Sequence, residues 1–202
     1  MRDVDPRLVT ALERQLRLRA GARVGWKLGI GDRERIGDEI AVGHLTTATR
    51  LEPGATYAPQ AGELLHADAE VAVEIGPNGE IAGYGAALEL VDLRSPPDTP
   101  EDVVAANVFH RAVAFGPFQA APPSGEARLV VNGDLRDGGP LEAELASRVP
   151  ATARILAAVG ERLEPGDLII TGSVVQVPLA PGDEVEADFG ALGRVHLRIA
   201  GP

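Results

Sequence analysis

Glu63-Leu64-Leu65-His66-Ala67-Asp68-Ala69-Glu70-Val71-Ala72-Val73-Glu74-Ile75 is the stretch on which the fold turns. Successive side chains of a strand point to opposite faces. Ala69, Val71, Val73 and Ile75 therefore share one face, and Asp68, Glu70, Ala72 and Glu74 share the other. The apolar row predicts a strand seated on a core. The acidic row admits two readings. A solvated face of an antiparallel strand produces the same alternation. Alternatively, Asp68 and Glu70 stand side by side and repel each other unless something positive lies between them. A divalent cation that prefers oxygen ligands (Mg2+, Mn2+ or Ca2+) meets that need.

Three further segments carry candidate chemistry. In Ala87-Leu88-Glu89-Leu90-Val91-Asp92-Leu93-Arg94, Glu89 lies within an apolar run. A lone carboxylate there is costly to bury unless it is paired or metal-bound. A salt bridge to Arg94 is the plainer alternative. In Val24-Gly25-Trp26-Lys27-Leu28-Gly29, a single lysine is surrounded by glycine and apolar residues. A partly buried lysine can act as an acid–base group or hold a carboxylate, whereas a lysine on a strand edge discourages edge pairing. Ile169-Ile170-Thr171-Gly172-Ser173 is a strand running into small hydroxyl residues. Its N–H and hydroxyl groups could hold an oxyanion, or form an ordinary turn.

Around these segments, 24 glycines and 16 prolines punctuate short apolar runs. Strands are predicted over 24–30, 70–75, 86–91, 128–132, 167–171, 184–189 and 194–199, joined by turns such as Pro53-Gly54, Pro165-Gly166 and Pro181-Gly182. Helical spacing predicts helices over 6–19, 99–114 and 150–159. The fold class is α+β and β-rich, with an N-terminal helical segment over 1–22 and a single domain over 23–202. A net charge of −11 argues against a nucleic-acid or anionic-membrane partner. The chain has no cysteine, which excludes disulfides, thiolate metal sites and a cysteine nucleophile. No apolar run reaches the roughly 20 residues of a membrane span. A cytoplasmic location is the simplest expectation.

Taken in order, the motifs resemble the fumarylacetoacetate hydrolase superfamily. They are Gly25-Trp26-Lys27-Leu28-Gly29, Gly43-His44-Leu45, Ala67-Asp68-Ala69-Glu70-Val71-Ala72, Ala87 to Arg94, and Leu163-Glu164-Pro165-Gly166-Asp167-Leu168-Ile169-Ile170-Thr171-Gly172-Ser173, with Pro181-Gly182-Asp183-Glu184-Val185 closing the series. Gly-Trp-Lys-Leu-Gly and Leu-Glu-Leu-Val-Asp are similar to the branch of 2-keto-4-pentenoate hydratases, 2-oxo-dienoate hydratases and 4-oxalocrotonate decarboxylases.

This resemblance implies a mixed β-roll with a few flanking helices and a homo-oligomer. It implies Mg2+ or Mn2+ held by Asp68, Glu70 and a third carboxylate, Glu89, with Asp92 as the fallback. Lys27 falls on the acid–base position, and Thr171, Gly172 and Ser173 on a substrate-contacting segment. The implied activity is that of a hydratase-like lyase acting on a small 2-oxo acid through a metal-stabilised enolate. The alternatives are a C–C bond hydrolase of acylpyruvate-type 1,3-diketo acids, for which His44, His66 and His110 are the available histidines, and a non-catalytic metabolite-binding member. Two departures stand out. Asp68 replaces the Glu usual in the hydratases, and Gly43-His44-Leu45 is followed by Thr46-Thr47-Ala48-Thr49-Arg50, without the acidic residue that partners the lysine. Position 47 is the expected place of that missing acid.

Overall fold

The computed structural model describes residues 4–30, 40–95, 99–142 and 145–201. Helix α1 (Pro6–Arg17) begins as its sequence dictates. The Asp5 side chain accepts from the Arg7 N–H at 2.9 Å, Pro6 occupies the first turn, and Leu8, Ala11 and Leu12 turn inward. Strands β1 (Arg23–Gly29), β2 (Ala41–Thr46), β3 (Arg50–Leu51) and β4 (Thr56–Tyr57) follow. The opening acidic stretch becomes β5 (Leu65–Ile75), paired antiparallel along its length with β6 (Ile81–Asp92).

The helix expected over 99–114 is corrected. Thr99 caps a short helix α2 (Pro100–Ala105), its side chain accepting from the Asp102 N–H at 3.2 Å. Asn107, Val108 and Phe109 then carry φ of +54°, +50° and +65°, and the chain continues as strand β7 (His110–Gln119). The long edge of β6 takes β7 as an antiparallel partner, and that tertiary pairing overrides local helix preference. After β8 (Glu126–Val131) and β9 (Asp134–Pro140) comes helix α3 (Arg148–Ala158), then β10 (Leu168–Pro178), β11 (Glu184–Asp188) and β12 (Arg194–Ile199). β2 and β9 were not among the predicted strands. β9, with Asp, Arg, Gly and Pro, has low strand propensity and is recruited as an exposed outer strand beside β8.

Seven strands form one sheet in the order β2-β1-β10-β5-β6-β7-β3, and five form a second in the order β4-β12-β11-β8-β9. Both are mixed: β1 runs parallel to β10, β3 to β7 and β4 to β12. The main core holds one face of the large sheet (Trp26, Leu28, Ala69, Val71, Leu88, Ile169) with the inner face of the small one and α1. The opposite face of the large sheet carries a smaller apolar cluster of Leu45, Ala72, Ala87, Val113, Phe115, Leu168 and Ile170. Both faces of β5 are therefore covered, and the solvated-face reading of Asp68 and Glu70 is overturned: their residues are 5% and 2% exposed.

Gly25 makes the central parallel pairing possible. A Cβ there would stand 1.8 Å from the backbone oxygen of Leu168, closer than any side chain can approach. Pro165-Gly166-Asp167 feeds β10 from below. Asp167, buried, takes Arg23 Nε at 3.0 Å and the Glu164 N–H at 2.9 Å, tying the turn to β1. No helix of the described residues is long and apolar enough to cross a membrane.

Candidate metal centre

The strand order places five adjacent strands, β1-β10-β5-β6-β7, beneath one site. Asp68 and Glu70 share a face of β5, and Asp68 is directly opposite Glu89 of β6. Like charges in that register are destabilising without a counter-charge. One ligand oxygen from each of Asp68, Glu70 and Glu89 lies within 4.8 Å of the others, and all three residues are buried. Lys27 from β1 reaches the same place. Its Nζ lies 2.7 Å from both oxygens of Glu89 and donates to the Val108 carbonyl at 2.8 Å.

The carboxylates differ in how they are held. Glu89 also accepts from His110, at 2.6 Å between Nδ1 and Oε1. Glu70 accepts the Gly172 N–H at 2.7 Å. Asp68 Oδ1 is buried with no hydrogen-bond partner among the described residues. Burial is the largest influence on all three. It lifts Asp68 to about 7, the Glu89 charge adding to the rise while Lys27, Gln176 and Ser173 oppose it. It lifts Glu70 well above the ordinary carboxylate value, again with Glu89 adding to the rise. Burial pushes Glu89 up too, but Lys27 and His110 outweigh it and hold that carboxyl below its ordinary value. Among the described residues, one carboxylate is thus neutralised from within the protein, and two are left short of positive charge. An orphaned buried oxygen beside two further hard oxygen donors fits a divalent cation.

His110 is fully enclosed, and burial is the main cause that lowers it below its ordinary 6.5. The neutral ring donates from Nδ1 to Glu89, so Nε2 accepts from the Thr49 hydroxyl at 2.9 Å. A chain Thr49–His110–Glu89 therefore runs from the turn between β2 and β3, through the first residue of β7, to the carboxylates. Sequence reasoning had His110 only as one of three available histidines, because its neighbour Glu89 comes from a register that no spacing reveals.

A cavity of about 240 Å³ opens over the cluster, and Lys27, Asp68, Glu70, Phe109, Ser173 and Gln176 contribute to its wall. Of the three expected substrate-contacting residues, Ser173 lines this cavity. The Thr171 hydroxyl is spent on the Val71 carbonyl at 2.9 Å, and the Gly172 N–H on Glu70. Asp92, the fallback ligand, is elsewhere: it accepts from the N–H groups of Leu64 and Arg94 and from Arg111, each at 3.0 Å. Arg94 meets Asp92 rather than Glu89. Thr47 also falls outside the site. Its hydroxyl accepts from the Ala22 N–H at 3.1 Å, and it lines a separate open cavity with Arg19, Arg23 and Arg50. The segment after Leu45 turns away from Lys27 and returns to the site only at Thr49, through His110.

Known structures share this architecture. The 4-oxalocrotonate decarboxylase from Pseudomonas putida G7, complexed with magnesium and adipate, superimposes with a TM-score of 0.79 at 22% identity, over 95% of this chain and 86% of that one. Fumarylpyruvate hydrolase from Pseudomonas aeruginosa, in complex with Mn2+ and pyruvate, gives a TM-score of 0.64 at 15% identity over 90% and 91%. The 2-hydroxyhepta-2,4-diene-1,7-dioate isomerase from Mycobacterium marinum gives 0.65 at 18% identity over 89% and 75%. A search of curated protein sequences finds no match. The family described as fumarylacetoacetate (FAA) hydrolase, C-terminal, matches residues 49–200. The chain belongs to the fumarylacetoacetate hydrolase family, and the β-roll expected from its motifs is the fold observed.

Proposed function

We propose that this chain is a divalent-metal-dependent lyase, hydratase-like, acting on a small 2-oxo acid. The observation that carries it is the convergence of three buried carboxylates, one with an oxygen unpartnered among the described residues, beneath a cavity that presents Asp68, Glu70 and Lys27. Asp68, Glu70 and Glu89 would hold Mg2+ or Mn2+, in keeping with the magnesium and manganese complexes of the similar structures. When bound, the cation supplies Lewis-acid polarisation of an adjoining oxygen. Lys27 carries the proton at Nζ and exchanges it with the substrate carbon beside the oxo group. Glu89 and the Val108 carbonyl aim that amine, and His110 keeps Glu89 in place. Ser173 contacts the bound acid, while Thr171 and Gly172 shape the strand that carries it.

The lyase reading is favoured over C–C hydrolysis by the histidines. Among the described residues none lines the carboxylate cavity. His110 is committed to Glu89 and Thr49, and His44 to Gln15 at 3.0 Å. A hydrolytic water thus lacks a histidine base there. An absorbance assay with 2-hydroxypenta-2,4-dienoate and with acylpyruvates, in Mg2+, tests the proposal. Turnover of the dienoate alone is expected. Turnover of acylpyruvates alone would select the hydrolase, and binding without turnover of either would select the non-catalytic member.

The same reading takes residues 23–202 as the catalytic domain behind an N-terminal segment of 1–22, in a cytoplasmic homo-oligomer. A sedimenting monomer at micromolar concentration would count against the oligomer.

A further inference from the structure

Gln15 is the one buried polar side chain of α1, set on the inward stripe that Leu8, Ala11 and Leu12 otherwise make apolar. An amide is costly to bury unless its hydrogen bonds are met. Here three are. Nε2 donates to the Val42 carbonyl of β2 at 3.2 Å and to the Val104 carbonyl of α2. Two carbonyl partners identify that end as the NH2 group, so Oε1 faces His44 Nδ1, 3.0 Å away, as an acceptor. Burial lowers His44 to about 4, and the neutral ring carries its proton on Nδ1.

These contacts flank the turn over Asn107–Phe109. Val104 sits in α2 just before the turn, and Val42 and His44 belong to the strand that the turn grips, through the paired bonds between the Asn107 side chain and the His44 main chain. β2 is the outer strand of the large sheet, so its position depends on such ties as well as on β1. Packing is close where β2 meets the lysine. A Cβ at Gly43 would stand 2.7 Å from both Asn107 Oδ1 and Lys27 Cγ. The turn presents the Val108 carbonyl, which accepts from Lys27 Nζ at 2.8 Å.

We propose that Gln15 is a positioning residue for Lys27: one amide ties α2 to β2 across the base of the Asn107–Phe109 turn, and the turn so fixed sets where the Val108 carbonyl holds the amine. Its part in catalysis rests on the function proposed above.

Lys27 is the only lysine of the chain, so the full chain labelled selectively at the lysine side-chain nitrogen gives one ammonium signal in nuclear magnetic resonance. In the metal-free wild type that signal should persist, because a buried ammonium held by Glu89 and Val108 exchanges its protons slowly with water. Gln15→Met keeps the length of the side chain and removes all three bonds. It is expected to shift the signal and speed its exchange about fivefold or more. It should also lower kcat for 2-hydroxypenta-2,4-dienoate about tenfold with KM unchanged, since a misplaced acid–base group slows the chemical step. Leu8→Ala, about two turns away on the same stripe, should lower the melting temperature and leave the lysine signal in place. Gln15→Asn, one methylene short of spanning both carbonyls, serves if Gln15→Met does not fold and is read the same way. A folded Gln15 variant with the wild-type lysine signal overturns the proposal, and so does a signal moved as far by Leu8→Ala. A signal moved by the Gln15 variant alone, in a protein whose wild type turns over no 2-oxo acid, upholds the hold of Gln15 on the amine and overturns only the catalytic reading.

Discussion

Three side chains with the same functional group behave differently here because each is given different company. Glu89 is surrounded by Lys27 and His110, which hold it below its ordinary value, whereas Asp68 and Glu70 share one face with no cation of their own among the described residues. Removing members of this set should separate their roles. Glu70→Ala is expected to lose Mn2+ binding in a calorimetric titration. Lys27→Met should keep it, while turnover falls by about 10²-fold or more, the scale of acid–base catalysis. Without metal, Lys27→Met leaves Glu89 partly uncompensated, and breaking such a buried pair costs about 3–5 kcal/mol. Its melting temperature should therefore drop and be recovered in large part by Mg2+. Wild-type turnover by that variant would remove Lys27 from the mechanism. His110→Ala, which releases one side of Glu89, should weaken Mn2+ about tenfold, as outer partners of metal ligands commonly do. An unchanged affinity would show that Lys27 alone positions Glu89.

Among the elements, the parallel pair β1–β10 is the least replaceable. It brings Lys27 alongside Ile170 and so holds the lysine one strand away from β5. The backbone contact at Gly25 leaves no space for a methyl group, and the neighbour is main chain rather than a movable side chain. Gly25→Ala is expected to destabilise by about 3 kcal/mol or more, through forced separation of the two strands. Chemical denaturation would measure it, and a midpoint equal to the wild type would mean that β1 shifts freely. The turn over Asn107–Phe109 works on the same element from the other side. The Asn107 side chain accepts from the His44 N–H at 2.7 Å and donates to the His44 carbonyl at 3.1 Å. That pair of hydrogen bonds to β2 sustains left-handed backbone at Val108, an unusual conformation for a β-branched residue, and it leaves the Val108 carbonyl facing Lys27.

At the scale of the whole molecule, the acidic cavity links stability to pH. Asp68 ordinarily titrates at 3.8 and is raised to about 7 in the fold by burial. Between those values the folded state holds more protons than the unfolded one, so stability falls as pH rises. Glu70 is raised as well and acts in the same direction. His44 and His110, held below their ordinary 6.5 by burial, act in the opposite direction as pH rises. The carboxylate effect is therefore read against Asp68→Asn: between pH 5 and pH 8 the metal-free wild type should lose more melting temperature, or gain less, than that variant. A divalent cation reverses the sign, because it favours the ionised carboxylates. The gain in melting temperature from saturating Mg2+ should be larger at pH 8 than at pH 5. A gain independent of pH would indicate that the cation binds away from Asp68 and Glu70.

Period-two alternation sufficed to orient β5, since the face of Asp68 and Glu70 follows from the pleat whatever the strand packs against. The turn chemistry of Pro165-Gly166-Asp167 was legible for the same reason: it is decided within a few residues. Burial of the acidic face was not, because it depends on a second apolar cluster assembled from five strands far apart in the chain. The strand at His110 was likewise hidden. Its local spacing suits a helix, and only the unpaired edge of β6 makes it a strand. The pairing of Lys27 with Glu89, 62 positions on, and of His110 with Glu89, 21 positions back, arises from registers between strands. Local sequence determines which way a side chain points along its own strand. Which charge it meets there is decided by the neighbouring strands, whose register is set by packing across the whole sheet.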